Sequence, residues 1–281
     1  MGIEDVGIAG VRVRRVARLD DRLEGAVRVG PHSVAKPGAL LRIVAGVGRF
    51  AAREGRAIDY CPEEGADPAA VEATLKGGVL GALIHQRGEL PLHATTLTAP
   101  GGGFAVAVAG HSGSGKSTTA YALAARGWTL LSDDLTRVTF VDGKAMAWPG
   151  RSRLRLMEDA CLHFGLDPIG LEPAPNWPGK YVLDLTGADA PAPLAGVVAL
   201  QRGEGPLEIE RLRGASAART LAEQTYRLHY VAALGQARNH LEAVAKTASQ
   251  AQILRVRGQA SVEEVAEGIE RTLSVDLQGP P

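Results

Sequence analysis

The chain has 281 residues, and its 31 Lys plus Arg are balanced by 31 Asp plus Glu, giving a formal net charge of +0 at pH 7. That balance supplies no global attraction for nucleic acid or an anionic membrane, and an aromatic content of 4% offers no stacking platform for bases. Cys61 and Cys161 stand at neither metal-ligand nor redox spacing, and the acidic start at Glu4 and Asp5 is followed by no long apolar run, so a cytoplasmic globular protein is expected.

Short apolar or alternating runs at residues 11–16, 26–29, 40–47 and 57–60, separated by turn residues, predict a small β-rich module over residues 1–66. Asp67 then precedes Pro68 as a helix N-cap precedes an N1 proline. Val71, Leu75, Val79, Leu80, Leu83 and Ile84 follow at helical spacing, so one helix is expected to run to Arg87-Gly88. Residues 90–98 and 104–109 read as strands joined by the tight return Pro100-Gly101-Gly102-Gly103. After them come an alanine-rich helix ended by Gly127, a short strand to Leu131, and a hairpin turning at Asp142-Gly143. Antiparallel strands at this point depart from a repeated βαβ pattern. The proline-rich residues 168–193 are expected to be loops, and residues 221–234 and 241–245 helical. Ser261 with Glu264 makes a capping box for a last helix through Leu273.

Residues 110–117, GHSGSGKS, match G-x-x-x-x-G-K-[ST] between an apolar strand and a helix, the context that a phosphate cradle requires. Gly110, Gly113 and Gly115 admit backbone conformations that turn successive N–H groups inward toward an anion, with Ser112, Ser114 and Thr118 in the same turn and helix start. Lys116 adds a point charge, and Ser117 places a hydroxyl where a nucleotide-bound Mg²⁺ would sit.

Asp133 and Asp134 close the strand that follows the cradle helix, which brings two carboxylates toward bound phosphates. One can complete an Mg²⁺ shell while the other accepts a proton from an attacking hydroxyl; a pair of solvated turn aspartates is the alternative. His93 follows a strand-like Leu90-Pro91-Leu92 and fits either an orienting or proton-carrying role or a structural histidine. Arg151, Arg153 and Arg155 alternate, so a strand would project them on one face, as phosphate or peptide contacts or as an exposed basic face; Lys180 is a further cation of this kind.

Taken together, Leu92-His93-Ala94, the run GHSGSGKST, an alanine-rich helix, Arg126-Gly127 and Leu130-Leu131-Ser132-Asp133-Asp134 resemble the HPr serine kinase family in order and spacing, over roughly residues 76–160. The resemblance implies an α/β fold with a P-loop core of the HPr kinase and phosphoenolpyruvate carboxykinase type, with a mixed sheet. Residues 67–281 would form this domain with its C-terminal helices. It implies ATP and Mg²⁺ as cofactors, His93, Asp133 and Lys116 as catalytic residues, and Ser117 and Asp134 at Mg²⁺. Its partner would be a protein or peptide carrying the acceptor serine, and a homo-oligomer is compatible with it. The segment Pro149-Gly150 and Arg153-Leu154-Arg155-Leu156 is similar to short HPr-kinase-like proteins, including lasso-peptide kinases. His111 and Thr118 stand where the bifunctional HPr kinase/phosphorylases carry acids, which leaves the acceptor open. A serine kinase is therefore the leading expectation. A kinase of a small hydroxylated metabolite and a nucleotide-binding regulatory module without transfer are the alternatives.

Overall fold

The computed structural model describes residues 5–174 and 178–277. The chain is mixed α/β and forms two compact units. One takes residues up to Pro91 together with Thr225–Ala243, and the other takes Leu92–Gln224 with the residues from Val244 onward. These boundaries differ from a division at residue 66, because the helical segment after Asp67 packs on the N-terminal strands.

In the first unit, β1 (Arg12–Arg15), β2 (Val27–Arg28), β3 (Ser33–Lys36), β4 (Ala39–Val44), β5 (Gly48–Arg53) and β6 (Ala57–Pro62) form one sheet in the order β1-β6-β5-β4-β3-β2. Neighbours from β2 to β6 pair antiparallel, and β1 adds to β6 in parallel. Asp59 on β6 is buried, and its carboxylate accepts from Arg14 and Arg53 at 2.9 Å each, so its charge is matched on both sides. Asp67 caps α1 (Pro68–Thr74) by accepting from the Ala69 N–H at 3.0 Å. The single helix expected here is broken into α1 and α2 (Leu80–Gln86) by a wide turn over Leu75–Val79, where Gly77 leaves helical geometry at φ −100° and ψ −109°. The Gly77-Gly78 pair supplies the weak point.

Strand β7 (Leu90–Leu92) straddles the division between the units, and in the second unit β8 (Ala94–Thr98) begins after an interruption at His93. The sheet runs β10 (Thr129–Ser132), β8, β9 (Ala105–Gly110), β16 (Ala192–Leu200), β18 (Gln252–Arg257) and β17 (Glu208–Leu212). Strands β9, β16 and β18 are parallel, and the outer pairings are antiparallel. The hairpin of β11 (Thr136–Val141) and β12 (Lys144–Ala147) joins the N-terminal end of β16 through β12. A smaller sheet holds β13 (Arg153–Met157), β15 (Lys180–Asp184) and β14 (Glu172–Pro173). The proline-rich stretch expected to be loops therefore contains β14, β15 and the start of β16 (Ala192–Leu200), and residues 180–184 pair with β13 over its full length. Residues 175–177 lie outside the described part.

The helix α3 (Lys116–Ala125) packs on the sheet and against α8 (Val262–Leu277). Leu97, Val106, Val108, Leu123, Leu130, Val198, Leu254 and Ile269 form the centre of one apolar core, each at most 1% exposed. Burial of each large aliphatic side chain contributes roughly 1.5–3 kcal/mol, which fixes α3 on the sheet. The end of α3 is set by Gly127 at φ 93°: its N–H donates to Ala124 and that of Trp128 to Leu123, the paired bonds of a left-handed cap. The capping box on α8 is formed, with the Ser261 N–H on Glu264 at 2.8 Å and the Glu264 N–H on Ser261 at 3.2 Å. The expected helix over residues 221–234 is divided between α5 (Gly214–Glu223) and α6 (Tyr230–Ala233), since Arg227 takes φ 49° between them. α7 (Ala237–Gln250) follows, and α4 (Glu158–His163) lies after β13. Among the described residues no helix is long and apolar enough to cross a membrane.

Candidate functional site

The three parallel strands β9, β16 and β18 end at Gly110, Leu200 and Arg257, and the glycine-rich turn lies at this carboxyl edge, where open α/β sheets place ligands. Gly110 takes φ 145°, and a Cβ there would stand 2.6 Å from the Leu200 carbonyl oxygen and 2.5 Å from Ser114 Oγ. Only glycine lets β9 leave the sheet this close to β16. Gly115 at φ 91° opens α3, so the first N–H groups of that helix face the turn. The Lys116 ammonium donates to the Gly110 carbonyl at 2.7 Å and to that of His111 at 3.2 Å. Burial lowers its pKa, as does Lys180, while Asp134 and Asp133 oppose the shift.

A cleft of ≈ 240 Å³ opens beside this turn. Ser112, Gly113, Gly115, Lys116, Ser117 and Thr118 form one wall. His93, Thr95, Asp133, Asp134, Arg155, Met157 and Lys180 form the rest. The fold thus brings together the cradle, both acids, His93, Arg155 and Lys180 from separate stretches of sequence.

The acids differ sharply in setting. Asp133 is buried at 6% exposure, and its carboxylate accepts from Thr95 Oγ1 at 2.8 Å, with Arg155 Nε 3.9 Å away. Burial raises its pKa above the ordinary carboxylate range, Thr95 and Arg155 hold it down in part, and the neighbouring Asp134 raises it further. Asp134 sits at the centre of a three-residue turn, with φ 70° and a bond from the Leu135 N–H to the Asp133 carbonyl at 2.9 Å. A positive φ at the centre of such a turn is rare for a residue with a side chain. One Asp134 oxygen lies 3.3 Å from His93 Nδ1 and the other 3.6 Å from Arg155 Nη2. His93 Nδ1 also lies 3.1 Å from the Asp134 carbonyl.

His93 therefore stands against Asp134 rather than Asp133. Thr95 holds Asp133 instead, because His93 and Thr95 are two residues apart on one strand edge and reach successive acids. Behind the acids lies a buried hydroxyl cluster. Thr136 Oγ1 donates to the Ala94 carbonyl at 3.3 Å, so Thr96 at 2.7 Å and Ser132 at 2.8 Å donate to it. This network locks the end of β10 to β8 directly under the Asp133-Asp134 turn.

Of the alternating arginines, Arg155 reaches the cleft. Arg153 shares its face of β13 but is bound by Glu172 and Asp184 and does not line the cleft. Arg151 precedes β13, and its carbonyl accepts the Asp133 N–H at 2.9 Å, a backbone role in holding the turn. The expectation of three arginines on one strand face thus narrows to one arginine in the site. Thr95 and Arg202 are not singled out by the sequence. Arg202, beyond the end of β16, donates to the Gly113 carbonyl at 3.1 Å. The run His93-Ala94-Thr95 carries a usable signal, since alternation places His93 and Thr95 on one face.

The donor set fits a nucleotide-bound Mg²⁺ rather than a protein cage. No group of three or more His, Cys, Asp or Glu residues among those described could hold a metal, while Ser117 and Asp134 face one cleft. Mg²⁺ retains waters and takes one or two protein oxygens with substrate phosphates, which matches this sparse set.

No family model matches the chain, and no curated protein matches it. Among solved structures, it is similar to one described as the Hpr(Ser) kinase/phosphatase from Coxiella burnetii, with 11% sequence identity and a TM-score of 0.38, over 67% of this chain and 99% of that one. Similarity at that level assigns neither family nor activity, so function rests on the chemistry of the cleft.

Proposed function

We propose that the protein is an ATP-dependent, Mg²⁺-requiring kinase that transfers the γ-phosphoryl group to a seryl hydroxyl of a protein or peptide. The observation that carries this reading is the single cleft that joins a phosphate cradle to a buried, raised-pKa aspartate. Burial disfavours the charged form of that carboxylate, which suits it to accept a proton beside the turn.

In this reading the turn amides and the start of α3 bind the phosphates, and the Lys116 ammonium moves from the turn carbonyls to the β- and γ-phosphate oxygens. Ser117 and Asp134 would hold Mg²⁺, whose charge would offset that of the phosphates. Asp133 accepts the proton of the seryl hydroxyl as its oxygen forms a bond to the γ-phosphorus and the bond from that phosphorus to the β,γ-bridging oxygen breaks, releasing ADP. Burial makes Asp133 a stronger base than a solvated carboxylate, and Thr95 fixes which of its oxygens faces the cleft. His93 orients Asp134, and Arg155 spans both acids, keeping two like charges side by side. Arg155 and Lys180 add positive charge for the transferring group.

The test is to incubate the protein with γ-labelled ATP, Mg²⁺ and serine-containing peptides, and to locate the label by mass spectrometry. Phosphoserine is the expected product. Label on a small hydroxylated metabolite moves the acceptor class, and nucleotide binding without label transfer in every mixture overturns the kinase reading.

A further inference from the structure

A second cleft of ≈ 240 Å³ lies on the other side of the cradle turn. Gly115 and Thr118 line both clefts, so the start of α3 is a shared wall. The two differ in chemistry. The first carries the acids and cations described above, whereas the second combines aliphatic side chains of Leu200, Leu207, Val256, Val262 and Val265 with the neutral polar groups of Ser114, Thr118, Thr119 and Gln201, and has no Asp or Glu among its lining residues.

We propose that this second cleft receives the nucleoside end of the bound triphosphate, gripping a flat purine between branched aliphatic side chains. The inference rests on the nucleotide-binding reading and goes beyond it by naming where and how the base is held. Phosphate order fixes the polarity. In a G-x-x-x-x-G-K-[ST] loop the lysine meets the β- and γ-phosphates and the turn amides cradle the α- and β-phosphates. The γ end must face Asp133, so the chain of phosphates leaves the first cleft across Gly115 and Thr118, and the ribose and base follow into the second. A ligand that is polyanionic at one end and flat and apolar at the other matches the contrast between the clefts.

Three further features fit. Ser114 lines the cleft and its buried hydroxyl makes no hydrogen bond, so rotation of that side chain would offer a donor to ligand oxygens along that path. The far wall is pinned: the Gln259 N–H donates to the Gly205 carbonyl at 2.8 Å and the Gln201 N–H to the Val256 carbonyl at 2.8 Å. Arg257, the one charged lining residue, is held by Glu208 through two bonds of 3.0 and 3.1 Å, so it does not place a free cation against the base. No carboxylate lines the cleft to accept from the donor edge of guanine, so no preference for GTP over ATP is expected.

The experiment measures binding of Mg·ATP, Mg·GTP and inorganic triphosphate to the parent and to Ala260→Trp, which fills the mouth of the cleft from an exposed position outside the core. The parent should bind ATP more tightly than triphosphate, and ATP at least as tightly as GTP. Ala260→Trp should lose about tenfold in ATP affinity while keeping its triphosphate affinity, which also shows that it folds. Leu207→Ala should weaken ATP alone by a few-fold. An ATP affinity no higher than that of triphosphate, an unchanged ATP affinity in Ala260→Trp, or a preference for GTP overturns the base site while leaving the cradle intact. A parent that binds neither ATP nor triphosphate overturns the cradle reading itself.

Discussion

The two walls of the proposed catalytic cleft are built in opposite ways. The cradle wall comes from one unbroken stretch, residues 110–118, shaped by positive-φ glycines and the start of α3. The facing wall is assembled from β8, the end of β10, β13 and β15, and its function depends on side-chain pairings among residues far apart in sequence: Thr95 with Asp133, His93 with Asp134, and Arg155 between the acids. Binding, on this account, belongs to the local wall and chemistry to the assembled one. Substitutions should separate the two.

The largest effect is expected from Asp133→Asn. Loss of the base should reduce phosphoryl transfer by about 10³-fold, with Mg·ATP affinity nearly unchanged. The same substitution has a stability signature. The folded pKa of Asp133 is raised, chiefly by burial, so the fold holds the proton more tightly than the unfolded chain does. The resulting stabilisation is complete below the ordinary carboxylate value of about 3.9 and is lost as pH rises through the raised folded value. The amide that replaces the carboxylate carries no charge to bury, so Asp133→Asn should melt above the parent at neutral pH, with the gap closing as pH falls into the ordinary carboxylate range. Thermal melts across pH read this directly, and a variant that melts lower at neutral pH contradicts it.

Lys116→Ala comes next and acts on the other wall. Removing a charge-assisted donor should weaken both Mg·ATP binding and transfer by about 10- to 100-fold, measured by calorimetry and by initial rates. If affinity survives while transfer falls, the division of labour between the walls is wrong.

His93→Ala should slow transfer by about tenfold with little change in nucleotide affinity, because His93 acts by orienting Asp134. Thr95→Val is subtler. It removes the hydroxyl that favours ionised Asp133, so the acidic limb of the rate profile, already above the ordinary carboxylate range, should move to still higher pH. An unmoved limb would detach Thr95 from the base. Smallest is Arg153→Ala. Its partners Glu172 and Asp184 are exposed, and such pairs contribute about 0–1 kcal/mol, so transfer should be unaffected. Arg155→Ala on the same strand face should impair transfer.

The same contrast explains what is legible in the sequence. The cradle, its helix and the Gly127 cap can be read because backbone conformation there is dictated by neighbours in the chain. The acids can be placed at a strand end, but the pairing of His93 with Asp134 cannot be read, because it depends on the register of β8 against β10 and on the left-handed turn at Asp134. Strand β16, which supplies the Leu200 carbonyl against Gly110, is also hidden. Its second half is buried on both faces and shows no alternation, and Pro191 and Pro193 at its start read as a loop. Pro193 is tolerated where β16 meets β12 before its pairing with β18 begins.

The central claim is that Asp133 is the base for transfer from a nucleotide held by the opposite wall. It is tested most directly by comparing the parent and Asp133→Asn in γ-phosphoryl transfer to a serine peptide, both saturated with Mg·ATP. The account predicts phosphoserine from the parent and a rate lower by about 10³-fold in the variant. Equal rates at equal saturation would contradict it.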